Sequence, residues 1–433
     1  MTIKLNVIFN SILVTSLTVI VATFSSVSYS ADIARESKTT YKAKILPLKA
    51  SDLGSTTIES RLQTVEMPSI NMNKETVTFV QVLGNGSAIE SAIKPSYTSS
   101  SRSFKMHVKG NKLASGIIIP ASSQSPIVRV VSQSNAKSFR ADQLELKENG
   151  RWISGSKAFD IVADRNELNA AGMPSARDVF AMRLKSRGAA TPIELRVNKL
   201  ANLDGDFAIH VFETNSKTVL DLTVANTNLL QGDKLKADVK LHKGAAHLDI
   251  VSANGYLVSP RAATKIPVKI NIIDGQVSSV IDTKGLSSNA AGLWELHITS
   301  EHKGGDVVVL RDAAVAFSLS AKTARFSGDV HIRKPLRKTE GLTLEFDIET
   351  ALAGRYAVSA VIYGNDSNGN KKAGVMVSAA KWLDANGEIE LDISPQKLAE
   401  ADITAPFEVR YLELKDQTRM ASLWSQTNAL NIP

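Results

Sequence analysis

No cysteine occurs anywhere in the 433-residue chain. That excludes disulfide stapling, so stability has to come from packing. It also excludes a lipoprotein anchor, because no thiol is present to carry the lipid. Beyond the first thirty residues there is no apolar run long enough to cross a bilayer. The familiar hydrolase and nucleotide signatures are missing: there is no G-x-S-x-G elbow, no H-E-x-x-H and no G-x-x-x-x-G-K-[ST] loop. A Ser-His-Asp triad built from scattered histidines, or a pair of glycosidase carboxylates, is assembled by the fold and leaves no mark on sequence. The net charge of +8 and a pI near 9.3 raise nucleic acid or anionic membranes as partners. Lys and Arg are nevertheless interspersed with Asp and Glu, with no basic block and no aromatic stacking platform, so nucleic acid is not an expected partner.

What is present begins with an export segment. Lys4 supplies a positive start, Val7 to Phe24 is apolar, and Ser28-Tyr29-Ser30-Ala31 offers small residues around a cleavage point. The expectation is a signal peptide over 1–30, with a retained membrane anchor as the alternative. Residues 31–60 are polar and read as a flexible leader.

The rest has the length of about three domains. It reads as all-β: many short strands of period two, strong turn signals and few short helices. The expected domains are an N-terminal β-rich domain over 61–214, an immunoglobulin-like β-sandwich over 215–321 and a C-terminal immunoglobulin-like β-sandwich over 322–433. The plan is plainest in Gly292 to Ser320. There Trp294, Leu296 and Ile298 alternate with Glu295, His297 and Thr299, and the chain returns through Val315, Phe317 and Leu319 after a turn at His302 to Asp306. Asn254-Gly255 and Asp274-Gly275 are tight-turn signals. Ser96 to Ser103 reads as a Ser/Thr loop, and Thr76 to Leu83 as a strand of the first domain. Asp164 with Glu167 makes a capping box for a short helix ending near Gly172, and Ser394-Pro395 starts another.

Candidate sites are few. Asp366-Ser367-Asn368-Gly369-Asn370 places oxygen ligands Asp366, Asn368 and Asn370 at alternate positions, as calcium loops do, but Val377 stands where an EF-hand needs glutamate. A solvated hairpin turn is the competing account. His242 with His247, and His297 with His302, have matching spacing near turns, where zinc or plain exposed loop histidines are the two readings. Of the four tryptophans, Trp294 is in phase with the core, while Trp152, Trp382 and Trp424 are open to either packing or ligand stacking. Arg311 and Asp312 interrupt an apolar strand, consistent with a β-bulge and a charged pair crossing a domain junction, or with a plain solvent-facing pair. No catalytic residue and no cofactor are expected.

Three stretches carry a resemblance. They are Gly292-Leu293-Trp294-Glu295 with Arg311, Ala316-Phe317 and Ala324-Arg325; then Tyr363-Gly364 with Ala380-Lys381-Trp382-Leu383; then Pro406 to Leu412 with Asp416 to Ala421. Together they resemble a family of exported gammaproteobacterial proteins known only as a domain of unknown function, itself similar to tandem immunoglobulin-like sandwiches. Some members resemble substrates of secretion systems. The resemblance spans roughly Arg61 to Leu430 and brings no catalytic residues. It implies a periplasmic or secreted Gram-negative protein. The expected function is a non-catalytic binding or structural protein for an unknown protein or glycan, monomeric and without a stable membrane anchor once the signal is removed. The alternatives are a secreted hydrolase with a site at a domain junction, an envelope chaperone that captures a strand, or a secreted virulence-associated factor.

Overall fold

The computed structural model describes residues 40–49, 52–58, 74–84, 96–133, 141–154, 157–172, 179–185, 192–198, 203–262, 264–288, 292–304, 307–335 and 339–433. The expected signal peptide lies outside them. The described chain is almost entirely antiparallel β-sheet, arranged as six sheets that pair into three sandwiches.

In the first sandwich, a five-stranded sheet runs Ser103–Lys109, Asp206–Phe212, Ile127–Ser132, Val179–Leu184, Phe159–Ala163. It shares its core with the four-stranded sheet Ile117–Ile119, Ile193–Val197, Leu144–Glu148, Arg151–Ser154. Ile193–Val197 shows why: Ile193, Leu195 and Val197 are buried while Glu194 and Arg196 between them are not, which is the period of a half-buried strand. The Leu144–Glu148 hairpin turns through Asn149 and Gly150, both at positive φ as the sequence NG requires. The capping box forms as expected: Asp164 accepts from the amides of Asn166 and Glu167, and helix Arg165–Ala170 lays Leu168 onto the outer face of the five-stranded sheet.

The second sandwich packs Asn271–Ile273, Gln276–Asp282, Lys234–Lys243, Thr218–Val224 and Tyr97–Ser101 against a sheet centred on Trp294–Gly304 and Val307–Ser320. Those two strands pair without interruption from Trp294↔Phe317 to Gly304↔Val307. Two corrections follow. His302 to Gly304 belong to the paired strand rather than to a turn, and no bulge occurs at Arg311. The third sandwich joins a sheet built on Ala324–Arg333, Leu342–Thr350 and Gly387–Ile393 to one built on Lys371–Leu383, Gly354–Asn365, Thr404–Asp416 and Ala421–Ile432. Helix Pro395–Glu400 starts at the Ser394 cap.

The N-terminal stretch departs from its expected place. Within the expected flexible leader, Thr40–Lys44 is an edge strand of the third sandwich, in register from Thr40↔Arg333 to Lys44↔Asp329. Tyr41 and Ala43 point to the core of that sandwich, and Thr40, Lys42 and Lys44 face solvent. An edge strand needs only one apolar face, so five residues with two apolar side chains suffice, too weak a pattern to read in advance. Val77–Val82, expected in the first domain, is likewise an edge strand of the third sandwich, from Val77↔Ala380 to Val82↔Val375. The Ser/Thr loop is also a strand: Tyr97–Ser101 edges the second sandwich. Its hydroxyls make a cross-strand ladder, Thr98 to Thr223 at 2.8 Å and Ser100 to Asp221 at 2.6 Å.

Asp274-Gly275 does form a hairpin turn, both residues at positive φ. Asn254-Gly255 does not; it lies inside strand Ser252–Val258. Gly255 is there for space, because a Cβ would come within 2.7 Å of Val268 and 2.8 Å of Ile270 and Ile298. Gly255→Ala is therefore expected to destabilise by about 1–3 kcal/mol through overpacking. Urea denaturation checks it, and an unchanged midpoint would contradict the close approach.

Candidate functional site

Strand Val307–Ser320 turns Val309, Arg311, Ala313, Val315, Phe317 and Leu319 to its buried face. One arginine thus occupies a core position, at the end of the second sandwich where the first begins. Its side chain is fully buried, and so is that of Glu213, which follows the last strand of the first sandwich; Arg311 Nη2 lies 2.7 Å from Glu213 Oε2. Every part of the guanidinium is used. Nε donates to the Thr218 carbonyl at 3.2 Å and Nη1 to the Leu310 carbonyl at 2.7 Å. Nη2 also donates to Ser122 Oγ at 2.8 Å and Ser216 Oγ at 3.0 Å.

The carboxylate is equally engaged. Glu213 Oε1 accepts from the amides of Ser122 at 2.5 Å and Ser123 at 2.9 Å, and Oε2 accepts from Ser122 Oγ at 2.5 Å. Burial lowers the pKa of Arg311, and the charge and hydrogen bond of Glu213 oppose that shift. The chain crosses between the two sandwiches twice, at Arg102 and at 213–217. The crossings are tied together by Glu213 N donating to the Arg102 carbonyl at 3.0 Å and Arg102 Nε donating to the Ser216 carbonyl at 3.1 Å. The ion pair therefore closes both connections around one neutralised centre.

On the opposite face of the same strand, Asp312 accepts from the Lys105 backbone amide at 2.7 Å. Burial pushes its carboxyl up to about 6, against the opposing effects of that amide and of the Lys105 and Arg311 charges. The charged pair expected at a junction is thus two separate anchors, one per strand face.

The start of the third sandwich is fixed by a second buried polar group. Asp416, fully buried, accepts from Thr323 Oγ1 at 2.8 Å and Arg419 Nη1 at 2.7 Å. Tyr356 donates to the Leu352 carbonyl at 2.7 Å, and burial, with Asp416 second, pushes its phenol up to about 12.

The calcium candidates occupy the hairpin between Gly354–Asn365 and Lys371–Leu383. Asp366 Oδ1 accepts from the amides of Asn368 at 2.9 Å and Asn370 at 2.7 Å, and Gly369 takes positive φ. These bonds, Asn370 first, hold the Asp366 carboxyl below its usual range. Asp366 Oδ1 thus caps its own hairpin turn, the role that the competing account gives it. His242 and His247 sit directly opposite one another in register; His242 bonds Asp221 at 3.1 Å, while His247 Nε2 lies 3.5 Å from an Asp249 carboxylate oxygen. His297 stacks on Tyr256 with centroids 5.0 Å apart, and His302 bonds the Asp249 carbonyl at 2.7 Å.

Trp294 is core, as its phase implies, and Trp424 packs edge-on against Phe326 at 5.5 Å. Trp152 lies under Arg196, 4.1 Å from its ring, and Trp382 bonds Asp384 at 2.7 Å. Sequence reading missed an outward carboxylate cluster on the third sandwich, Glu345, Asp347 and Glu388, whose oxygens lie within 4.8 Å of one another. Burial and then Glu388 push the Glu345 carboxyl up. Its signal was the acidic phase of Leu342–Thr350 facing that of Gly387–Ile393, visible once Asp347↔Glu388 are paired.

Fold and junctions define a multidomain all-β protein whose buried charged groups brace its sandwiches. Residues 68–213 match the N-terminal domain of the DUF4785 family of unknown function, and residues 323–433 match its C-terminal domain. Those matches together take in more than half of the sequence, and the chain belongs to that family. A crystal structure of a DUF4785 family protein from Legionella pneumophila is similar at 17% identity with a TM-score of 0.66, over 88% of this chain and 99% of that one. The native conformation of Escherichia coli alpha-2-macroglobulin is matched at 12% identity over 77% of this chain and 22% of that one, with a TM-score of 0.20, which carries no fold argument. A search of curated proteins finds no match.

Two outcomes are expected. Arg311→Met strands a buried carboxylate and costs about 3–5 kcal/mol, whereas Arg325→Met at the partly exposed Glu349 pair costs about 1 kcal/mol or less. Equal losses in urea titration would contradict the account. For Asp312, a folded pKa above the unfolded one means that its contribution is most favourable near pH 4 and is lost as pH rises through about 6. Asp312→Asn therefore stabilises on the order of 2 kcal/mol at pH 7.5 and nothing near pH 4. A gain that does not vary with pH would contradict the burial effect.

Proposed function

We propose that this chain is an exported, non-catalytic binding or structural protein acting in the periplasm or outside the cell, with its second and third sandwiches immunoglobulin-like. One observation carries the non-catalytic part. The junction where a hydrolase of this architecture would place its site is filled by Arg311 and Glu213, both fully buried and fully bonded. Ser122 has a carboxylate beside it, yet it donates to Glu213 and accepts from Arg311, and among the described residues no imidazole is hydrogen-bonded to it. The carboxylate that it donates to is neutralised by Arg311 and sealed from solvent, an arrangement that holds the hydroxyl in place rather than activating it. A braced array of sandwiches instead presents loops and sheet faces at fixed spacing, which suits recognition.

Export rests on the apolar segment Val7 to Phe24 and the small residues before Ala31. The test is fractionation of producing cells with a periplasmic marker, together with fluorogenic ester, peptide and glycoside assays on the purified chain. The expected product begins near Ala31, lies in the periplasm or medium, and turns over none of the substrates. An intact N-terminus held in the inner membrane would overturn export. Hydrolysis that Ser122→Ala abolishes would overturn the non-catalytic reading.

A further inference from the structure

The outward face of the five-stranded sheet in the first sandwich carries an arrangement that the fold itself does not explain. His210 is directly opposite Lys105 on one neighbouring strand and directly opposite Arg129 on the other. Paired residues of antiparallel strands point to the same side, so three basic side chains stand in one row across three strands. The flanking rows add Arg183, opposite Ile127, and His107, opposite Ala208. No carboxylate occupies any of these paired positions. Lys105 and Arg129 thus flank one imidazole, and no carboxylate in the row offsets their charge.

Arg129 is the sharper signal. Its Nε is buried without a hydrogen-bond partner, and among the described residues its guanidinium has no ion pair. A buried guanidinium N–H is a strong donor, and leaving it unmade is costly. Lys105 has no ion pair among the described residues either, since the nearby Asp312 bonds its backbone amide. Arg129, His210 and Lys105 thus stand side by side on one face of the sheet, with the Arg129 Nε unpartnered.

We propose that this row is a binding site for a tetrahedral oxyanion, a phosphoryl or sulfate group, seated over His210 between Arg129 and Lys105. This deepens the binding-protein reading and rests on it, by naming the chemical class that one face recognises. Arg129 would offer a planar fork to two oxygens, Lys105 a mobile point charge and His210 a ring N–H to a third oxygen.

The free site is tuned for this exchange. His210 is held down to about 4 by burial first, then by the charges of Lys105, Arg129 and His107. It is neutral at pH 7 because burial and the cationic neighbours both disfavour the imidazolium. A bound oxyanion offsets that repulsion and raises the imidazole pKa from about 4, so proton uptake accompanies binding only in the acid range where the ring titrates. The groups that face it are Lys105, Arg129 and His107 from its own sheet, with Asp312 of the second sandwich beyond Lys105.

The test is NMR of the mature full chain labelled with ¹⁵N-histidine, titrated with inorganic phosphate, sulfate and acetate at matched ionic strength. The expected result is a saturable shift of His210 with phosphate or sulfate and a rise of its pKa by about one unit or more. Response to both oxyanions identifies a site that reads tetrahedral geometry, and response to phosphate alone identifies a phosphoryl site. Arg129→Gln and Lys105→Gln should each lower affinity about tenfold or more, with Arg129→Lys in between and Lys265→Gln without effect. The remaining histidine signals report in the same spectra that each variant is folded. A His210 shift that follows ionic strength alike in all salts, or one that Arg129→Gln leaves unchanged, overturns the site. That failure would leave the broader binding reading standing, because fractionation and substrate assays decide it separately.

Discussion

The arrangement of the first two sandwiches depends on one buried ion pair. Arg311 and Glu213 are sealed from solvent, and an isolated charge in such a place would be intolerable. Each is acceptable only because the other is present and because Ser122, Ser123, Ser216, Thr218 and Leu310 supply the remaining bonds. Those partners come from the first sandwich, from the linker and from the second sandwich. Separating the sandwiches would strand both charges, so the junction behaves as a single cooperative contact. A hydrophobic junction of the same size would resist separation but would not fix direction. The bonds to Arg311 do fix it.

The same logic recurs where the third sandwich begins, with Asp416 bonded by Thr323 and Arg419. The N-terminal stretch adds a different constraint. Thr40–Lys44 and Val77–Val82 edge both sheets of the third sandwich, and Tyr97–Ser101 then edges the second. These three short strands therefore extend sheets whose other strands lie much further along the chain. The third sandwich is completed by chain far from it in sequence, which explains why linear domain boundaries misplace this segment.

Much of the architecture was legible. Long strands such as Trp294–Gly304 declare themselves by alternation, and the Asp164 and Ser394 caps are local chemistry that sequence displays directly. The misreadings have physical causes. Edge strands carry half the apolar signal of central ones, so Thr40–Lys44 and Tyr97–Ser101 looked like leader and loop. Gly255 looked like a turn because glycine serves close packing and tight turns alike. Arg311 and Asp312 were recognisable as an interruption of an apolar strand, but Glu213, nearly a hundred residues earlier, gave no sign of being the partner. The row of Lys105, His210 and Arg129 was equally hidden, since only strand pairing makes neighbours of residues so far apart in sequence.

The most direct measurement of the central claim is native-state hydrogen exchange on the amides of Val128–Val131 in the first sandwich and Leu220–Val224 in the second, in the wild-type chain and in Arg311→Met. The account predicts that both sets open with one shared free energy in the wild type, and that the shared value splits in the variant. Independent opening free energies in the wild-type chain would contradict it, because the two sandwiches would then unfold without regard to the charges buried between them.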